Sequence, residues 1–297
     1  MTALHKPEIE TFFDEATNTA TYLVSDPATK SAAIIDSVLD YDPRSGKVST
    51  TGADRILTAI AAKKLSIEWI LETHAHADHL SAAQYFKTHT GAPVAIGTYI
   101  SEVRAIFDPV FDLETQGGYE SEFDHRFRDG EHFKIGTLDV EVLTTPGHTP
   151  ACVTYKIGDA IFVGDTLFMP DYGTARADFP GGDALTLFNS IQRLLALPDE
   201  TRVFLCHDYK APGREEYVWE TTIGEERKHN IHVHDGIGAD EFVAMREKRD
   251  ATLAAPTLLL PSIQVNIHAG HLPLPSKNGR RYLKIPLTII DKLNATH

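Results

Sequence analysis

The sequence predicts an α+β fold in which two β-sheets pack face to face and helices cover their outer sides. Three observations point there. Short apolar runs recur between residues 8 and 206, too brief for helices and bounded by Gly, Pro, Asp and Ser. Several pair through two-residue turns, Gly136-Thr137 and Gly158-Asp159, which is the chemistry of antiparallel hairpins. Amphipathic stretches near 56–65 and 184–196 are interspersed with these hairpins, and each needs an apolar surface to cover. Two stacked sheets with helices outside satisfy all three.

In chain order, residues 8–36 read as three strands: one around Ile9 and Phe12-Phe13, one at 20–24 and one at 32–35. The turn Ser25-Asp26-Pro27 separates the last two. Residues 41–51 are polar, carry Pro43 and Gly46, and read as a surface loop. A helix follows with Ile56, Leu57, Ile60 and Leu65 on one face. Residues 67–71 read as a buried strand, and a helix containing Leu80, Ala83 and Phe86 runs to its stop at Gly91. Residues 93–96 make another short strand, whereas 98–130 are mixed and acidic without a clear period. Two hairpins, at 133–143 and 153–163, a helix at 184–196 and a strand at 202–206 complete a core of about 8–210. Residues 211–297 belong to the same single domain as an extension. They read as helices and loops packed around the site entrance or at the contact of a homodimer.

The 297 residues and 42% hydrophobic content suffice for one large domain. A net charge of −14 argues against a nucleic-acid partner, whose phosphates are neutralised by Lys and Arg. Cys152 and Cys206 both sit in apolar runs, so they read as buried thiols and not as a disulfide framework. The first thirty residues hold Glu8, Glu10, Asp14 and Glu15 and no signal-like apolar core. No apolar run approaches the roughly 20 residues needed to cross a bilayer. A cytoplasmic protein without membrane contact is expected.

Chemistry concentrates in Thr73-His74-Ala75-His76-Ala77-Asp78-His79-Leu80. Residues two apart in extended chain point the same way, so His74 and His76 reach one point beyond the preceding strand. Asp78 stands at the expected N-cap of the following helix, and His79 in its first turn faces back to the same point. Imidazole and carboxylate at this density are the side chains of a metal site. Three later residues share one setting, just past the end of an apolar strand: His148 after the turn Thr145-Pro146-Gly147, Asp165 after Gly164, and His207 after Cys206. Strand ends at one sheet edge are where sites are assembled from distant sequence.

This order of motifs, with Pro146-Gly147-His148-Thr149, Gly164-Asp165 and Cys206-His207-Asp208, resembles the metallo-β-lactamase superfamily over roughly residues 10–210. The resemblance implies a four-layer αββα sandwich with the metal site at one edge of both sheets. Further stretches look like its persulfide dioxygenase branch, which is related to glyoxalase II. These are Gly164-Asp165-Thr166-Leu167-Phe168, Thr174-Ala175-Arg176-Ala177-Asp178-Phe179, Gly181-Gly182, His207-Asp208-Tyr209 and Glu225-Glu226-Arg227-Lys228-Asn230 with one residue between the last two. That branch implies one Fe(2+) per chain held by His74, His148 and Asp165. Glutathione persulfide and O2 would be its substrates, sulfite and glutathione its products, and Arg176, Tyr209 and Arg227 its contacts to glutathione. The chain departs from short members in its extra 41–54 stretch, in its length beyond His207, and in having Ala175-Arg176 where they tend to have Gly-Arg.

Two histidines and one carboxylate leave coordination positions open for O2 and substrate, which suits non-haem iron(II). His76, Asp78, His79 and His207 would then orient water or the metal ligands, with Asp78 and His79 acting in catalysis through hydrogen bonds. The same inventory also fits a dinuclear metal site, in which Asp78, His79 and His207 bind a second ion and a glutathione thioester is hydrolysed. Arg176, Lys210, Arg214 and Arg227 could pair with the two carboxylates of glutathione.

Overall fold

The computed structural model describes residues 6–113 and 123–287. Strands β1 (Glu8–Asp14), β2 (Thr19–Ser25) and β3 (Ser31–Ile35) form an antiparallel run. In β2 and β3 the side chains alternate between two apolar layers. Tyr22, Val24, Ala33 and Ile35 face the other sheet, while Leu23, Ala32 and Ile34 face helices. A strand buried on both faces must be apolar at consecutive positions, and that makes these stretches read as continuous runs.

Residues 41–51 are not the expected surface loop. β4 (Val38–Asp42) and β5 (Lys47–Ser49) make a hairpin, Asp40 pairing with Ser49 and Asp42 with Lys47. Asp42 closes its turn by accepting from the Arg44 N–H at 2.9 Å and the Ser45 hydroxyl at 2.6 Å. The strand was hidden because β5 is fully exposed, so no burial demanded apolar residues. Helix α1 (Thr51–Lys63) follows and buries Ile56 and Ile60, with Leu65 just past its end. β6 (Ser66–Leu71) then runs parallel to β3.

A second expectation also fails. Asp78 caps no helix and His79 lies in no helical turn. Residues 74–79 form an irregular loop, and β7 (Leu80–Ser81) pairs with β4 before α2 (Ala83–Thr90) begins. The Ser81 N–H is drawn to Asn266 Oδ1 at 2.8 Å, which keeps this stretch extended. Gly91 ends α2 in the left-handed conformation, as expected. β8 (Val94–Gly97), α3 (Ile100–Val110) and β9 (His125–Phe127) complete the first half; part of the aperiodic 98–130 stretch lies outside the described residues. This sheet has the order β1-β2-β3-β6-β8-β9.

The second sheet consists of β10 (His132–Ile135), β11 (Leu138–Thr144), β12 (Val153–Ile157), β13 (Ala160–Phe162), β14 (Arg202–Phe204) and β15 (Glu220–Thr222), adjacent in that order. α4 (Ala184–Leu195) connects β13 to the parallel β14. Val140, Val142, Tyr155, Phe162 and Phe204 meet the first sheet, and Ile161, Val163, Val203 and Leu205 meet α4 on the other side.

The stretch beyond residue 210 completes both outer layers. α5 (Ile223–His229) and α6 (Ala239–Asp250) join the α4 side, where the Phe188 and Phe242 rings lie 5.4 Å apart. α7 (Leu259–Asn266) joins the helices of the first sheet through Ile263 and Val265. The result is the αββα sandwich, with three apolar layers between four layers of structure.

Glu226 is fully buried in α5 and accepts from Asn230 Nδ2 at 2.7 Å, which also donates to the Gly173 carbonyl at 3.0 Å. Burial pushes its carboxyl up to about 8. A raised folded-state pKa gives stability that is full below the unfolded value and lost as pH rises through the folded one. Glu226→Gln should therefore raise the unfolding temperature relative to the parent more at pH 9 than at pH 5, by a few degrees, measured by scanning calorimetry. An equal gap at both pH values would show that Glu226 titrates normally.

Candidate metal centre

Each site residue leaves the end of a strand. His74, His76, Asp78 and His79 follow β6, His148 follows β11, Asp165 follows β13 and His207 follows β14. Two glycines let these turns close. A Cβ at Gly147 would sit 2.3 Å from the Leu187 backbone, and one at Gly164 would sit 2.4 Å from Thr73 Oγ1; both have positive φ.

All five imidazoles are buried, and those of His74, His76, His79 and His207 each have a ring nitrogen left bare. His74 Nδ1 donates to Thr73 Oγ1 at 3.0 Å, whose own hydroxyl donates to Asp36 Oδ2 at 2.9 Å. His76 Nε2 donates to Asp36 Oδ1 at 3.0 Å, His148 Nδ1 to the Arg176 carbonyl at 2.8 Å, and His207 Nδ1 to the Asn18 carbonyl at 3.1 Å. The opposite nitrogens of His74, His76 and His207, together with His79 Nε2, Asp78 Oδ2 and Asp165 Oδ1, have no hydrogen-bond partner. A buried polar atom left unpaired costs about 1–3 kcal/mol, so this many converging calls for a cation.

The ligand atoms fall into groups. Donors of His74, His148 and Asp165 lie within 4.8 Å of one another, and so do those of His76, Asp78 and His79. Asp165 stands between them, with Oδ2 3.6 Å from His148 Nε2 and Oδ1 3.2 Å from His207 Nε2. Burial holds His74 well below the ordinary imidazole range, aided by His76 and His148, so it offers a free lone pair. Burial works against charge on His76 and His207 too, but Asp36 and Asp78 respectively override it and raise both. The donor set thus fits a metal ion.

Cys206 is no nucleophile, because burial raises its thiol; burial pushes Cys152 to about 12. Both thiols are buried, as the sequence implied.

A cavity of about 520 Å³ opens over Asp78, His148 and Asp165. Phe168, Tyr172 and Tyr209 form one wall, and residues from α6 and from 253–258 form another. Arg176 and Tyr209 line it as expected, but Lys210, Arg214 and Arg227 do not. Arg227 reaches Asp199 at 2.9 Å and Asp235 at 3.6 Å, Arg214 is held by Asp171 and Asp208, and Lys210 lies 4.0 Å over the Tyr217 ring. Two of these acidic partners, Asp171 and Asp199, lie 43 and 28 residues from the arginines they hold. Arg176 itself pairs with Asp178 and donates to the Ala254 carbonyl at 2.7 Å.

Several residues escaped the sequence reading. Asp36, which orients His76 and Thr73, follows an apolar strand as His148 and Asp165 do, and the same rule could have found it. Asn266 donates to the carbonyls of His76 and His79, at 2.8 and 2.7 Å, and so fixes the histidine loop from the far end of the chain. Arg246 and Arg249 reach the cavity from α6, a helix without any local signature of a site.

Comparison with known proteins agrees with this geometry. The sequence profile of the metallo-beta-lactamase superfamily matches residues 15–207. A beta-lactamase hydrolase-like protein of Xylella fastidiosa is 51% identical over 97% of this chain, which spans about two thirds (67%) of that protein. Glyoxylase B2 of Dictyostelium discoideum is 49% identical, over 97% of this chain and 99% of that one. The mitochondrial persulfide dioxygenase ETHE1 of Homo sapiens is 27% identical over 87% of each. Among solved structures, ETHE1 from Myxococcus xanthus superposes with a TM-score of 0.71 at 33% identity, over 89% of this chain and all (100%) of that one. With its histidine-rich loop, its strand-end ligands and its four layers, the chain belongs to the metallo-beta-lactamase superfamily.

Proposed function

We propose that the chain is a persulfide dioxygenase that holds one iron(II) at His74, His148 and Asp165 and acts on glutathione persulfide. The observation that carries this reading is the convergence of two imidazoles and one carboxylate, whose ligand atoms lie within 4.8 Å of one another, with His148 and Asp165 on the wall of a cavity that Arg176 and Arg249 also line. Such a triad leaves positions open, and iron(II) there would supply the redox chemistry with O2 that zinc lacks. Thr174, Ala175, Arg176, Phe179 and Tyr209, in stretches that resemble the dioxygenase branch, lie on the cavity wall beside that triad. The 33% identical ETHE1 structure supports the same branch.

In the net reaction the S–S bond of the persulfide breaks and the terminal sulfur loses four electrons to O2. One water supplies the third sulfite oxygen, two protons are released, and glutathione leaves with its thiol. The cavity lies within the roughly 300–1,000 Å³ of small-molecule sites. Arg249 is exposed on its wall and makes no ion pair among the described residues, so it is free to take a substrate carboxylate. Arg176 lies 5.2 Å over the Phe179 ring, and its guanidinium, paired with Asp178, keeps one further N–H on each terminal nitrogen for the second. His74, His148 and Asp165 are themselves buried beside the aromatic wall. Burial disfavours charge on Asp78, yet His207 and His79 hold its carboxyl well below the usual range, so it stands as an acceptor toward the cavity.

A second reading, a glutathione thioester hydrolase with two metals, draws on the second donor group and on the name of the 49% identical glyoxylase. The two part on stoichiometry and O2. Anaerobic reconstitution should give close to one iron per chain, and O2 uptake should depend on glutathione persulfide. His148→Ala should be folded, iron-poor and inactive, and zinc should fill the site without turnover. Two tightly bound metals with thioester cleavage and no O2 uptake would establish the hydrolase instead.

Substrate capture is a separate test. A charge-assisted hydrogen bond is worth on the order of 1.5–3 kcal/mol, so Arg249→Ala should raise KM about ten- to hundredfold with iron content unchanged. Arg176→Ala should act in the same direction. A normal KM in both variants, from steady-state O2 electrode kinetics, would remove these arginines from the substrate site.

A further inference from the structure

A single peptide group links α6 to the metal centre. Its carbonyl, that of Arg176, accepts from His148 Nδ1 at 2.8 Å. Its N–H, that of Ala177, donates to Asp250 Oδ2 at 2.8 Å. Asp250 is only 3% exposed, and its other oxygen is gripped by Arg246, from Nε at 2.9 Å and from Nη2 at 2.6 Å. Arg246, 1% exposed, also donates to the Thr174 carbonyl at 3.1 Å, while the Thr174 N–H donates to His232 Nδ1 at 3.0 Å. The backbone from Thr174 to Ala177 is therefore pinned at three points by side chains from beyond residue 230.

We propose that Asp250, held by Arg246, is the positioning residue of His148, acting through the Arg176–Ala177 peptide. Imidazoles that bind metals commonly donate their second N–H to a carboxylate or a backbone carbonyl, which fixes the tautomer and raises ligand basicity. Here both kinds of partner act in series. A carboxylate accepting from the peptide N–H polarises the group, so its carbonyl becomes a stronger acceptor for His148. His148 Nδ1 is thereby held toward the peptide and Nε2 is aimed at Asp165 Oδ2, 3.6 Å away. The placement also accounts for an ion pair that is costly to bury. Its two charges satisfy backbone groups of the site wall as well as each other.

The inference rests on the metal reading of His148, not on which reaction follows, and zinc binding tests it. Two double variants remove both buried charges together. Arg246→Met with Asp250→Asn keeps an acceptor for the Ala177 N–H, and Arg246→Met with Asp250→Leu does not. Zinc affinity of the metal-free proteins is read by competition with a chromophoric chelator. The Asn pair should stay near the parent, and the Leu pair should bind about ten- to hundredfold more weakly. Phe242→Leu, in the core of the same helix, should lower the unfolding temperature without moving zinc affinity. Equal affinities in the two pairs would overturn the proposal. Retention of parental affinity by His148→Ala would instead overturn the metal reading on which it rests. Independently of any variant, the 15N shift of His148 Nδ1 in the metal-free parent should be that of a protonated nitrogen. An unprotonated Nδ1 would overturn the relay.

Discussion

Asp36, Asp78, Asp165 and five imidazoles are packed together where little water reaches, at the ends of strands from both sheets. Charges and lone pairs in such a place are tolerated only when they compensate one another or share a cation. The arrangement around them follows from that constraint. His74, His76 and His207 each donate from one nitrogen to the protein and keep the other bare, and His148 donates from Nδ1 in the same way. Asp36 is buried and takes no part in the bare groups of the cavity floor. It nevertheless binds His76, the Thr73 N–H and the Thr73 hydroxyl, and so sets two rings at once.

Residues 211–287 serve the same constraint from outside. α7 sends Asn266 to two carbonyls of the histidine loop, and α6 sends Arg246 and Asp250 to the wall behind His148. Between these helices, the 253–258 stretch closes the cavity. The extension is thus part of the site's support and wall, and its removal would expose both outer apolar layers as well.

Surface charge is handled differently. The chain is acidic overall, and most of its cations near the site are already committed to carboxylates. Arg249 is spared. An acidic surface with a few cations retained in one cavity suits a small anionic ligand better than an extended polyanion, whose backbone needs many cations in register.

Much of the fold was legible in the sequence because burial on two faces forces apolar runs, and two-residue turns force hairpins; β2, β3, β6 and the two hairpins from β10 to β13 are examples. The candidate metal ligands were legible because ligand chemistry admits few side chains and places them at strand ends. The β4–β5 hairpin was not, since exposed strands face no demand for apolar residues. Asp78 and His79 could not be placed in sequence, because Asn266, 187 residues after His79, pulls the loop and β7 into extended form instead of helix. The fates of Lys210, Arg214 and Arg227, and the arrival of Arg246 and Arg249, were decided by tertiary structure alone. A cation's role depends on which carboxylate lies within reach in space, and local periodicity carries no record of that.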